Sequence, residues 1–73
     1  MLLTALRPGA SARVRSVSAE SDAVLRLREM GLHNGVTIRL DLIAAGGARI
    51  VTVGSARLAV DRATAALIDL DLA

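Results

Sequence analysis

Residues 36–42 alternate strictly: Val36, Ile38, Leu40 and Leu42 fall on one side of an extended chain, and Thr37, Arg39 and Asp41 on the other. Period-two alternation marks a strand with one dry and one wet face, so the sheet it joins needs a cover on one side only. The 73 residues contain no Phe, Tyr, Trp or Cys with which to build that cover. The core must therefore come from Leu, Val, Ile, Ala and Met alone. A chain of this length makes one small domain and buries only about 60% of its unfolded surface. A short sheet curling over its own apolar face is the arrangement that meets these limits.

The rest of the chain is punctuated accordingly. Pro8–Gly9 ends an apolar start, Met1–Leu6, with a turn. Ala12–Val17 reads as a strand with Ala12, Val14 and Ser16 on one face, and the step from Val14 to Val17 predicts a bulge near Arg15–Ser16. Ser18 and Ser21 are candidate N-caps, with Glu20 and Asp22 placed to complement a helix start. The helix is predicted over Asp22–Met30, where Val24, Leu27 and Met30 recur every third residue and Leu25 widens the stripe. Gly31 stands where a left-handed residue ends a helix, and Leu32 can then pack back on the last turn.

Asn34–Gly35 and Gly46–Gly47 mark reversals on either side of the alternating strand. Ala48–Val53 and Ala56–Val60 form two short strands joined by a two-residue turn at Gly54–Ser55. Asp61–Ala66 makes one helical turn, and Leu67–Leu72 a closing strand. About five short strands and one short α-helix in a single domain, residues 1–73, predict a mainly β fold: a small, partly open antiparallel barrel.

Composition narrows the function. The isoelectric point is near 11.1, yet nine Arg against seven acidic residues leave a net charge of only +2. The value is high because Lys, Tyr and Cys are absent and little titrates below Arg. Neither clustered positive charge nor aromatic stacking platforms are present, so nucleic acid is not expected as a partner. Charges recur too often for a spanning helix, which needs about 20 apolar residues. Met1–Leu6 lacks the basic start and small-residue cleavage pattern of a secretory signal. The expectation is a cytoplasmic protein without direct membrane insertion.

Catalytic inventory is thin: with no Cys, Lys or Tyr, bases and nucleophiles reduce to hydroxyls, carboxylates and His33. Gly46–Gly47 lacks the lysine and spacing of a phosphate loop. No catalytic residue is assigned. His33 is the single candidate metal ligand, but Gly31 breaks the helix that would have aligned it with Glu29. A divalent transition metal there would need further ligands, for example across a homodimer. The rim formed by Met30, Gly31, Leu32, His33, Asn34 and Gly35 is the candidate contact patch.

The run Arg26-Leu27-Arg28-Glu29-Met30-Gly31-Leu32 with Gly35, preceded by Leu6, Pro8–Gly9 and Val14, resembles the FeoA family, ferrous iron transport protein A. The alternating Val36–Ile38–Leu40 and the closing Leu58-Ala59-Val60, Ala65, Ile68 and Leu70 fit the same pattern, so the resemblance covers nearly the whole chain. Two turn residues depart from it: Asn34 where the family often has Pro, and Asp61 before Arg62 where it often has Arg. The resemblance implies an SH3-like barrel without enzymatic activity. It also implies a cytoplasmic accessory role in ferrous iron uptake, as a protein-interaction module acting on the cytosolic portion of the FeoB GTPase transporter. Two alternatives stand beside it: a barrel that responds to a transition metal, like the one ending some metal-dependent repressors, and an RNA-binding small barrel.

Overall fold

The computed structural model describes residues 1–18 and 21–72. In chain order its elements are β1 (Ser11–Val17), α1 (Asp22–Glu29), β2 (Thr37–Ile43), β3 (Arg49–Val53), β4 (Ala56–Val60), α2 (Arg62–Ala65) and β5 (Ile68–Leu72). All pairings are antiparallel in a five-stranded sheet ordered β4–β3–β2–β1–β5, which leaves β4 and β5 at the two edges. The concave face holds an aliphatic core in which Leu3, Ala12, Leu40, Val51, Ala65 and Ile68 are fully buried. This is the mainly β, partly open barrel that the strand pattern predicts.

Local chemistry explains most boundaries. Ser21 caps α1, its Oγ accepting the Val24 N–H at 3.2 Å. Ser18, the other candidate cap, instead donates its N–H to Leu67 O at 2.9 Å beside β5, and Glu20 lies outside the described residues. At the far end, the Gly31 N–H reaches Arg28 O at 3.1 Å and the Leu32 N–H reaches Leu27 O at 2.9 Å. With φ +106° at Gly31 this is a Schellman motif. Leu32, 1% exposed, folds back into the core with Leu27. In the β3–β4 turn only Gly54 has positive φ, the pattern of a II′ hairpin.

Three expectations are corrected. First, the alternation places Leu42 on the buried face of β2, but Leu42 is 46% exposed. The register skips between Leu40 and Leu42, so Asp41 is an extra residue and the inward alternation stops at Leu40. Second, the helical stripe is narrower than predicted: Val24 and Leu27 are buried, whereas Leu25 and Met30 are exposed. Third, Met1–Leu6 is more than an apolar start. Leu3 and Leu6 enter the core from a 3₁₀ turn, Leu3–Ala5. Met1 exchanges hydrogen bonds with Leu70, and Leu2 bridges to Asp69, so this segment covers the outer edge of β5. The bulge foreseen in β1 is present, between Val14 and Ser16.

Candidate functional site

The rim beyond α1 is held at both ends by main-chain bonds. On one side the Schellman motif fixes Met30–Leu32. On the other, the Gly35 N–H donates to Val14 O at 2.8 Å and Val36 O accepts from the Val14 N–H at 2.8 Å, so the loop is tied to β1. Gly35 itself requires φ +89°, a value that favours glycine. Of the six residues expected there, Met30, His33, Asn34 and Gly35 are exposed, Gly31 is half-buried and Leu32 is buried. Leu32 therefore supports the rim from inside, and the surface offered outward is Met30, 54% exposed, with the His33–Gly35 turn.

Beside Met30 runs a groove of roughly 230 Å³ between α1 and the end of β4. Its helix wall is Ala23, Arg26, Leu27 and Met30; its opposite wall is Ala59, Val60, Asp61 and Thr64. The second wall escaped sequence reasoning, because nothing local reveals which strand lies opposite the helix. Asp61 is occupied as the cap of α2: its Oδ1 accepts the Thr64 N–H at 2.7 Å, which lowers its pKa.

The outer face of β2–β4 carries the strongest electrostatic feature. Asp41, its side chain only 7% exposed, accepts from Thr52 Oγ1 at 2.6 Å, Arg39 Nε at 2.9 Å and Arg57 Nε at 3.1 Å. Those bonds, the Thr52 hydroxyl first, lower its pKa from 3.8 to about 2. Arg49 is a further charged residue that the strand pattern did not single out. It points inward at 8% exposure and donates to the carbonyls of Gly47 and Thr4, tying β3 to the N-terminal segment.

His33 Nδ1 lies 3.3 Å from Asn34 O, and no carboxylate pairs with it among the described residues. Among those residues no group of three or more His, Cys, Asp or Glu side chains is gathered to hold a metal ion. Nor is any helix among them long and apolar enough to cross a membrane.

A short, partly open five-stranded antiparallel barrel with a terminal segment along one edge and a capped helix between its first two strands belongs to the SH3-like class. Within that class the family follows: the FeoA domain model matches residues 1–71, and the chain belongs to the FeoA family, whose members are tied to ferrous iron transport. Among solved structures, FeoA of Stenotrophomonas maltophilia complexed with zinc is 32% identical over 97% of this chain and 89% of that one, with a TM-score of 0.82. That protein is described as a procaryotic SH3 domain protein and a candidate ferrous iron transport activating factor. Iron(II) transport protein A of Clostridium thermocellum is 25% identical over 99% of this chain, with a TM-score of 0.88. This chain spans 45% of that relative's length. A manganese-dependent transcriptional repressor, 20% identical, shares the fold over 100% of this chain and 41% of its own, with a TM-score of 0.88. No curated protein sequence matches the chain.

Proposed function

We propose that this FeoA domain is a cytoplasmic, non-enzymatic accessory of ferrous iron uptake that docks on the cytosolic portion of a FeoB-type transporter. One observation carries the reading: Met30 stands exposed at the end of a helix whose termination is hydrogen-bonded and glycine-dependent. An unbranched, polarisable side chain on a rigid support, beside a groove, is suited to meeting an apolar partner surface. Phosphate chemistry is left to the partner, since the chain has neither a phosphate loop nor a lysine. Binding of the isolated domain to the immobilised cytosolic portion of the cognate transporter tests the reading. Met30→Lys should weaken that binding about tenfold or more while leaving stability within about 0.5 kcal/mol of the parent, because the side chain is exposed and a cation suits a helix C-terminus. Absence of binding by the parent at high concentration would overturn it.

A second reading, direct response to a divalent transition metal, is favoured by the zinc on the Stenotrophomonas relative and the barrel shared with a manganese-dependent repressor. His33 would supply the nitrogen ligand here, and a second copy or a partner the remainder. Zinc titration of ¹⁵N-labelled protein separates the two. Saturable shifts confined to the His33 turn support the metal reading, and their absence defeats it.

A further inference from the structure

The two edges of the sheet are treated differently. Met1–Leu2 covers β5, whereas among the described residues β4 pairs with β3 on one side and with no strand on the other. The hairpin aligns Val53 with Ala56, Val51 with Leu58 and Arg49 with Val60. In a two-residue hairpin these are the hydrogen-bonded pairs, so Arg57 and Ala59 direct their N–H and C=O groups away from β3. Among the described residues those main-chain groups have no partner. They lie along the same edge that forms one wall of the α1–β4 groove, where Ala59 faces a helix wall ending in Met30.

A strand edge and a helix with a groove between them can accept an extended peptide: the free main-chain groups supply affinity, and alternate side-chain positions supply specificity. Both sets of positions have a definite character here. A side chain turned inward would meet Leu27, Met30 and Val60. One turned outward would lie beside Arg57, whose Nε is already fixed on Asp41 at 3.1 Å. Arg57 shares the single Asp41 carboxylate with Arg39, so these three side chains together carry a net positive charge. We infer that β4 accepts an extended protein segment as a sixth strand, and that this segment alternates small apolar side chains facing the groove with acidic side chains facing Arg57. The inference deepens the docking reading above and rests on it for the occupant being part of a protein partner.

The probe is a synthetic octapeptide of alternating valine and glutamate, added at low salt to ¹⁵N-labelled protein. The amides of Arg57 and Ala59 should gain about tenfold protection from hydrogen exchange, as main-chain pairing of an edge requires. A peptide N-methylated at alternate residues, or one with lysine replacing glutamate, should bind at least about tenfold more weakly. Ala59→Pro removes an edge N–H that no ladder bond uses, a substitution edge strands tolerate, and should weaken binding similarly. The N-methylated peptide makes the same test on the unaltered protein should that variant fail to fold. Binding that leaves Arg57 and Ala59 unprotected overturns strand addition, as does protection in peptide-free protein that grows with its concentration, which would assign the edge to a second copy. Peptide binding without any transporter binding would overturn the docking reading alone. Transporter binding without protection of the β4 edge would overturn the strand inference alone.

Discussion

Gly31 has φ +106° with room to spare: a Cβ added there would meet only Val53 Cγ1, at an ordinary 3.7 Å. The cost of substitution is thus in the backbone and not in packing. Gly31→Ala should lower stability by about 1 kcal/mol, a fall in melting temperature of roughly 4–8 °C for a domain this size; Gly31→Val should cost more. An alanine variant that melts like the parent would refute the conformational role. Asp41 gives a pH-dependent counterpart. Its folded-state pKa of about 2 lies below the ordinary 3.8, so the unfolded chain binds the proton more readily. The stability it contributes is therefore complete above about pH 4 and lost as pH falls toward 2. Urea denaturation across that window should show a shallower loss for Asp41→Asn than for the parent, and equal slopes would contradict the cause assigned. Gly31 and Leu32 were readable from sequence because a Schellman motif is made by six consecutive residues. Asp41 was not, because the bulge that sets its neighbours belongs to the pairing of two strands.

At the scale of elements, α1 and its termination divide labour between adjacent residues. Leu32 is buried and Met30 exposed, although sequence alone placed both in one contact patch. Leu32→Ala should destabilise by about 2–5 kcal/mol, while Met30→Ala should stay within about 0.5 kcal/mol of the parent. Chemical denaturation of both variants checks the division, and similar losses would contradict it. Strand order and the second wall of the groove depend on contacts between distant residues, such as Arg49 with Thr4 and Met1 with Leu70, which no local pattern encodes. The N-terminal segment illustrates the limit. Its apolar character is plain in Met1–Leu6, but its placement along β5 follows only from the barrel's need to cover an edge.

For the whole molecule, fold and candidate site differ in how far they could be read in advance. A chain without Phe, Tyr or Trp and with glycine-punctuated strands has few ways to bury its apolar faces, so the barrel was legible. A docking surface leaves a weaker trace, because an exposed methionine and a stripe of core residues have the same spacing along a helix until the packing is known. The Arg26–Gly35 run marks the family, yet Leu27 and Leu32 within it are core, and its exposed apolar residue is Met30, ahead of the turn that follows. The most direct test is therefore a map of amide shifts in the ¹⁵N-labelled domain on addition of the unlabelled cytosolic portion of the cognate FeoB-type transporter. Shifts concentrated at Met30, His33–Gly35 and the facing Ala59–Asp61 wall are the predicted result. Shifts confined to the β1–β5 side of the barrel, with the α1 rim unmoved, would contradict it.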